Sequence, residues 1–224
     1  MTINATSITV TGPPMSRAGR KKTKAQGVRA LTREQRMVVF KRAARVLAEY
    51  NGGKPQCIER VAVLERAADL LQFKAEPIPA AVAVQGPLGA CMLGEAVEGL
   101  IPLLSGGAVR RSPTTELWNG AGHLFLFVSQ EGMMLDPTLD QVGPVTGFPR
   151  GCLIMPVTAD QLYTDDVPFE VTGDAGHVQV QYRVVRSDST WRSAYNAMYA
   201  GLGPDGRLLA RSALELEGFD EDLV

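Results

Sequence analysis

The sequence carries almost no excess of charge of either sign. Among its 224 residues, 23 are Lys or Arg and 24 are Asp or Glu, which gives a formal net charge of -1. A balanced chain of this kind does not produce the long-range field that attracts nucleic acid or an anionic membrane surface. No apolar run approaches the roughly 20 residues needed to span a bilayer, and residues 1–10 lack the pattern of a secretory signal. We therefore expect a cytoplasmic protein with no membrane partner.

Cysteine and histidine are also scarce. The chain has three cysteines, Cys57, Cys91 and Cys152, and two histidines, His123 and His177. An odd number of widely spaced cysteines does not suit a disulfide framework. The sequence has no CxxC or HxxxH spacing, so we expect no zinc site and no other cofactor. The small number of histidines leaves few candidates for a catalytic base.

The first thirty residues contain little that could form a core. They are rich in Thr, Gly, Pro and basic residues, with few apolar neighbours. Such a segment buries too little apolar surface to offset its ordering entropy. We expect residues 1–30 to be a flexible basic tail and residues 31–224 to be one domain. The alternative is an electrostatic arm for nucleic acid or an acidic partner, although no aromatic residue is interleaved with the charges.

Helical patterns dominate the first part of the domain. Thr32-Arg33-Glu34-Gln35 matches a capping box, and the helix that it starts is expected to end at Asn51-Gly52-Gly53. A second amphipathic helix is predicted from Gln56 to Gln72. The apolar run from Pro79 to Gln85 is typical of a buried strand. The segment from Gly86 to Thr115 is ambiguous, and Ala90 to Leu104 is a candidate for a short helix.

Strand patterns dominate the second part of the domain. Residues 122–128 and 133–136 flank a polar turn and predict a hairpin, and further strands are expected at 152–157 and 177–185. A helix is predicted near Trp191 to Tyr199, with a break over 201–206. Helices followed by mostly antiparallel strands indicate an α+β fold, with the helices on one side of the sheet.

Cys57 occupies the first turn of the second predicted helix. The partial positive charge of a helix N-terminus favours a thiolate, and its unpaired N–H groups can stabilise an oxyanion on a substrate carbonyl. The alternative is that Cys57 is a small apolar residue on a buried stripe.

His123 and Asp136 fall on the two strands of the predicted hairpin. If the turn has an even number of residues, cross-strand partners have numbers that add to an odd total and share one face. His123 and Asp136 satisfy this condition, so the carboxylate can orient the imidazole. The alternatives are a structural histidine in an apolar strand and an aspartate that only caps the turn Asp136-Pro137-Thr138.

These motifs resemble one known family when they are taken together. Gln56-Cys57, Gly122-His123-Leu124-Phe125-Leu126 and Leu135-Asp136-Pro137-Thr138 are similar, in order and spacing, to the motifs of the transglutaminase-like branch of the papain-like superfamily. The resemblance covers residues 32–138, which leaves 139–224 as a C-terminal extension. An aromatic residue often follows the nucleophile in that family, whereas Ile58 stands there in this chain.

The resemblance implies a papain-like core and a Cys-His-Asp triad. Cys57 would be the nucleophile, His123 the general base and then acid, and Asp136 the orienting group. Gln56 is a candidate for the oxyanion hole. Trp118 is a candidate for lining the acyl pocket, and the alternative is a tryptophan that belongs to the core or anchors a loop. Gln141 is a further candidate close to the end of the second hairpin strand. Cys91, Cys152 and His177 are expected to be structural.

The triad implies a reaction at an amide or ester carbonyl through a thioester acyl-enzyme. Water as the acceptor would make the protein a peptidase or amidase, and an amine would make it a transglutaminase or acyltransferase. The partner would be a protein, a peptide or a small amide or ester. The alternative from another class is a catalytically silent papain-like domain that serves in binding or assembly.

Overall fold

Helices pack on a largely antiparallel sheet in a computed structural model of the chain, which describes residues 31–51, 56–94, 110–111, 122–163, 169–172 and 178–224. The helices of these segments are α1 (Arg33–Asn51), α2 (Cys57–Leu70), α3 (Gly143–Thr146), α4 (Ala159–Tyr163), α5 (Arg192–Gly201) and α6 (Gly203–Leu216). Their strands are β1 (Ala75–Gly86), β2 (Gly89–Leu93), β3 (Arg110–Arg111), β4 (His123–Val128), β5 (Met133–Asp136), β6 (Leu153–Pro156), β7 (Phe169–Thr172) and β8 (Gln179–Val184). The α+β class expected from the sequence is confirmed.

The predicted capping box starts α1. The backbone N–H of Gln35 donates to Thr32 Oγ1 at 3.2 Å, and the N–H of Thr32 donates to Gln35 Oε1 at 2.9 Å. This reciprocal pair satisfies donors that the first helical turn leaves without intrahelical partners. Helix α2 begins at Cys57, so the cysteine lies in the first turn, as predicted.

Strand β1 is the centre of the sheet and is longer than the predicted strand at 79–85. Along one edge its first half pairs with β4 and its second half with β2, and its other edge pairs with β8. Strand β5 continues the sheet from β4, and β6 follows β5; all these pairs are antiparallel. Strand β7 pairs with β8, and β3 is parallel to β2.

The start of the segment considered for a short helix, 90–104, is a strand instead. Gly89–Leu93 forms β2, which folds back on β1 through a tight turn with Gly89 at a φ of 148°. A short apolar run has too few residues to show the repeat of a helix or of a strand. Its structure is decided by β1, because the second half of one β1 edge is not paired with β4 and offers hydrogen-bond partners. Residues 95–104 of the candidate helix lie outside the described residues. The break expected over 201–206 is confined to Leu202, because Pro204 suits the first turn of α6.

Two apolar layers cover the faces of the sheet. In one layer α1, α2, α5 and α6 pack against alternate residues of β4 and β5, including Leu124, Leu126 and Leu135. The other layer lies on the opposite face and includes Phe125, Phe127 and Tyr182. The described helices include none with the length and apolar content needed to cross a membrane.

Candidate active site

The candidate nucleophile lies at the start of α2. Cys57 is the first residue of the helix, and its side chain is buried, with an exposed fraction of 6%. Its thiol interacts with the imidazole of His123 and raises the pKa of that ring. The first helical turn therefore carries a sulfur atom together with N–H groups that have no intrahelical acceptor.

Gly122 allows His123 to begin strand β4. It has a φ of 90°, which side chains rarely permit, and a Cβ added to it would lie 2.3 Å from the Cα of Gly94. Only glycine suits such a close approach of two backbones. The Gly-His pair in the sequence thus has a structural reason, since the glycine places the histidine beside the end of β2.

The hairpin of β4 and β5 brings His123 and Asp136 to one face. Leu126 pairs with Leu135, and Phe127 pairs with Met134. The numbers of each pair add to an odd total, as predicted for a turn with an even number of residues. His123 and Asp136 are diagonal neighbours across the hairpin and not directly opposite each other. His123 Nε2 lies 2.7 Å from Asp136 Oδ2. Both side chains are completely buried. The distance is that of a charge-assisted hydrogen bond.

Asp136 uses both of its carboxylate oxygens. Oδ1 accepts from the backbone N–H of Thr138 at 3.1 Å and from the Thr138 hydroxyl at 3.4 Å. Oδ2 accepts from the Tyr182 hydroxyl at 2.8 Å, in addition to its bond with His123. The two interpretations of Asp136 are therefore compatible, because one oxygen stabilises the local turn and the other orients the histidine.

The electrostatic environment favours a protonated His123. Burial lowers the pKa of the imidazole, but the Asp136 carboxylate and then the Cys57 thiol raise it to about 10. An imidazolium donates from both ring nitrogens. Since Asp136 occupies Nε2, Nδ1 is the nitrogen that remains for the thiol. The side-chain amide nitrogen of Gln141 also lies 3.3 Å from Nδ1, so the candidate Gln141 contacts the base. Because an imidazolium only donates, the end of this amide that can bond to the protonated ring is its oxygen.

Gln56 is held by the next turn of α2. The guanidinium of Arg60 donates from Nη2 to Gln56 Oε1 at 3.0 Å. A guanidinium has no acceptor, so this contact fixes the amide with its oxygen toward Arg60 and its Nε2 as the donor end. Gln56 thus has a defined donor group next to Cys57. Trp118 and His177 lie outside the described residues.

Tyr182 and Asp140 are two polar residues of this region that the sequence reasoning missed. Tyr182 stands in the alternating apolar stripe of β8, and a hydroxyl in that stripe was the available signal, since a buried phenol needs a partner. Asp140 is 4% exposed and lies in the 3-10 turn Leu139–Val142, which follows β5. Burial and the nearby Asp136 raise the pKa of the Asp140 carboxyl to about 6.

The other cysteines have different surroundings. Cys91 is buried in the apolar layer that includes Phe125, Phe127 and Tyr182, on the face of the sheet away from α2. Cys152 precedes β6 close to Asp136, and burial followed by that carboxylate raises the pKa of its thiol. A protonated thiol is a poor nucleophile, which makes Cys152 a weak candidate. Within the described ranges, no group of three or more His, Cys, Asp or Glu residues is arranged to hold a metal ion.

The arrangement has the parts needed for nucleophilic catalysis. It combines a thiol at a helix start, an imidazole next to it and a carboxylate that fixes the imidazole. No family model, curated protein or solved structure matches this chain.

Proposed function

We propose that this protein is a cysteine-nucleophile enzyme of the transglutaminase-like, papain-like kind. It would act on an amide or ester carbonyl of a cytoplasmic protein, peptide or small molecule. One observation carries the proposal: Asp136 holds Nε2 of the buried His123 at 2.7 Å, and Cys57 at the start of α2 is among the groups that raise the pKa of this imidazole. A carboxylate that holds the far nitrogen of an imidazole leaves the near nitrogen available for proton exchange with a nucleophile.

The proposed reaction has two halves. The Cys57 thiolate attacks the carbonyl carbon and forms a C–S bond, and the N–H groups at the start of α2 and Gln56 Nε2 stabilise the resulting oxyanion. When the tetrahedral intermediate collapses, His123 donates its proton to the departing amine or alcohol. Water or an amine then attacks the thioester, His123 takes the proton of this nucleophile, and the thiolate of Cys57 is released.

A burst experiment with p-nitrophenyl acetate tests the proposal. We expect rapid release of one equivalent of p-nitrophenolate per protein, with an acetyl group on the peptide that contains Cys57. Cys57→Ala should abolish the burst, whereas Cys152→Ala, which removes a neighbouring thiol, should retain it. No acetylation at Cys57 would contradict the proposal.

The burial of the site favours a second candidate, a catalytically silent binding or assembly module. Cys57 is 6% exposed and His123 is fully buried, so a substrate must reach a sulfur atom with little accessible surface. A silent module predicts that Cys57 is inert toward small alkylating reagents such as iodoacetamide. The enzyme predicts rapid alkylation, so this reagent distinguishes the two candidates.

A further inference from the structure

Strand β6 leaves one edge of the sheet open. It lies at one end of the sheet order, and β5 is its only neighbour among the strands that the structure describes. The residues of β6 are half-buried or exposed, whereas every residue of β5 is buried. An edge strand of this kind presents backbone groups with which another extended chain can pair.

The ladder between β5 and β6 decides which backbone groups point outward. Just beyond β6, the N–H of Val157 donates to the carbonyl oxygen of Gly132 at 2.8 Å. Bonded and non-bonded pairs alternate in an antiparallel ladder, so Met155 bonds to β5, whereas Ile154 and Pro156 do not. The N–H and C=O of Ile154 and the C=O of Pro156 therefore point away from β5. In the part of the chain that the structure describes, no hydrogen bond occupies these three groups.

A cavity of about 280 Å³ lies beside this edge. Its apolar lining includes Met37 of α1, Met133 of β5 and Ile154. All three belong to the apolar layer between the helices and the sheet, so they lie on one face of the sheet. Methionine is flexible and polarisable, so this lining adapts to apolar side chains of different shapes. The open backbone groups thus adjoin a cavity that suits an apolar side chain.

Lys41 of α1 adds a positive charge to the lining of this cavity. It forms no ion pair with any described residue. Glu131 also lines the cavity, but it is bound by Arg33, whose Nε lies 2.6 Å from Glu131 Oε1. These three side chains together leave one positive charge beside the apolar surface. An acidic group on a ligand complements that charge.

The combination matches the way in which a peptide adds a strand to a sheet. Main-chain hydrogen bonds to the edge give affinity, and pockets for alternate side chains give specificity. Opposite residues on adjacent strands share a face, so a peptide residue opposite Ile154 carries its side chain on the face of Met37 and the cavity. Peptide residues two positions away share this face, which is also the side of the sheet on which Lys41 lies.

We propose that β6 binds an extended segment of a protein partner, with an apolar residue opposite Ile154 and an acidic residue two positions from it. This inference goes beyond the proposed function and does not depend on Cys57. A second copy of this chain fits the edge less well. An isologous contact presents the same patch from both sides, so it adds a second Lys41 and, among the described residues of the cavity, no acid that is free to pair with it.

Fluorescence anisotropy with a fluorescein-labelled Thr-Glu-Thr-Leu-Thr-Glu-Thr amide tests the proposal on the full chain. The Leu and both Glu side chains of this peptide share one face of an extended strand. We expect saturable binding. N-methylation of either the Leu or the Thr that follows it, but not of both alike, should weaken binding by roughly tenfold, because alternate N–H groups of a strand point to one edge. Equal affinities for the two N-methylated peptides, or no binding of the parent peptide, would overturn the proposal.

A charge exchange tests the role of Lys41. A peptide with Lys in place of both Glu should bind about two- to fivefold more weakly than the parent, the usual range for an exposed ion pair. Lys41→Glu should reverse this preference. Arg207→Glu makes the same charge change at an exposed position of α6 and should keep the wild-type preference. An unchanged preference in Lys41→Glu would contradict the assigned chemistry of the partner.

Ile154→Pro tests the edge itself. Proline at this position removes the outward N–H but no bond to β5, so the variant should bind the parent peptide at least about tenfold more weakly. Circular dichroism checks that the variant is folded, and if it is not, the N-methylated peptides and Lys41→Glu still decide. Wild-type affinity in a folded Ile154→Pro would overturn the proposal.

Two controls separate the edge from other sites. Cys57→Ala should bind the peptide as the wild type does, and a loss of binding there would place the peptide at the candidate active site instead. Light scattering gives the oligomeric state at the protein concentration of the binding assay, and we expect a monomer. A wild-type dimer that Ile154→Pro converts to a monomer would assign the edge to a second copy of the chain and overturn the proposal.

Discussion

At the scale of single residues, the Asp136 carboxylate is the group on which most of the site depends. It accepts hydrogen bonds from His123, Tyr182 and Thr138 while it is completely buried. A buried carboxylate requires such partners, because an unpaired charge would destabilise the fold. The same bonds hold the imidazole in one orientation, so the stability of this region and the chemistry of the site are coupled.

Two substitutions at Asp136 should separate these two roles. Asp136→Asn keeps an oxygen that can accept from Thr138, but it replaces the acceptor of His123 with an amide. Asp136→Ala removes both interactions. We expect both variants to lose the p-nitrophenyl acetate burst, because neither can stabilise an imidazolium. Denaturant unfolding should show Asp136→Ala to be less stable than Asp136→Asn by about 1 kcal/mol, the usual contribution of one hydrogen bond. Equal stability would show that the turn does not depend on Oδ1.

Tyr182→Phe should weaken the fold without removing the triad. The variant loses one hydrogen bond to a charged oxygen, which is worth about 1.5–3 kcal/mol, while the bond between His123 and Asp136 is retained. The free energy of unfolding, measured with urea, should fall by about that amount, and Cys57 should still react with iodoacetamide. An unchanged free energy of unfolding would mean that the phenol contributes no stability through Asp136.

At the scale of the elements, the start of β4 depends on the contact between two glycines. Gly122 has a φ of 90°, and an added Cβ would lie 2.3 Å from backbone atoms of Gly94. Strand β4 begins at the next residue, His123. Any displacement of this strand end therefore moves the imidazole relative to α2.

Gly122→Ala should be destabilising and should slow alkylation at Cys57. Both the backbone strain at positive φ and the contact with Gly94 oppose a methyl group, so we expect a loss of about 1–3 kcal/mol. Gly201→Ala is the matched control, since a Cβ on Gly201, the last residue of α5, meets no atom within 4 Å. The control should unfold at an equal or higher temperature, because alanine favours helix. Similar melting temperatures for the two variants would argue against the close approach.

The helices and strands that the sequence predicted correctly are those determined by residues close together in the chain. The capping box at Thr32 and the parity of the hairpin depend on residues close together in the chain, and both predictions are confirmed. The ambiguous run that begins at Ala90 starts as a strand and not as the candidate helix, because pairing with β1 decides its structure. A local pattern carries no information about which distant edge will be available.

The residues of the candidate site also fall into those that local sequence signals predict and those that only the packing of distant elements reveals. Cys57, His123 and Asp136 were predicted from a helix start and a hairpin, and the structure brings them together. Tyr182 reaches Asp136 from a strand that is 46 residues away in the sequence, and only the sheet order connects them. The buried state of Asp140 likewise results from packing, which a single acidic residue after a turn does not reveal.

At the scale of the whole molecule, Asp140 and His123 are two of the groups that make stability depend on pH. Burial and then Asp136 raise the pKa of Asp140 from 3.8 to about 6. The folded chain thus holds this proton more tightly than the unfolded chain. The contribution of Asp140 to the free energy of unfolding therefore has its full value below about pH 4 and is lost as pH rises through 6. The pKa of His123 is raised from 6.5 to about 10, so its contribution is full below pH 6.5 and is lost as pH rises through 10.

Asp140→Asn should isolate the first of these effects. The variant cannot titrate at this position, so its stability relative to wild type should rise by about 1–3 kcal/mol between roughly pH 4 and pH 8. His123 is present in both proteins, and its contribution cancels in the comparison. Urea unfolding across this range gives the difference, and Asp160→Asn serves as the exposed control. A pH-independent difference would contradict the raised pKa of Asp140.

The central claim is that Cys57 and His123 form an activated pair, and the rate of Cys57 alkylation by iodoacetamide against pH tests it most directly. An ordinary thiol gains reactivity only near its pKa of about 8.5. We predict that wild-type Cys57 already reacts rapidly near pH 6, and that His123→Ala reacts at least about tenfold more slowly there and recovers only at alkaline pH. Identical profiles for the two proteins, or an inert Cys57 in the wild type, would contradict the account.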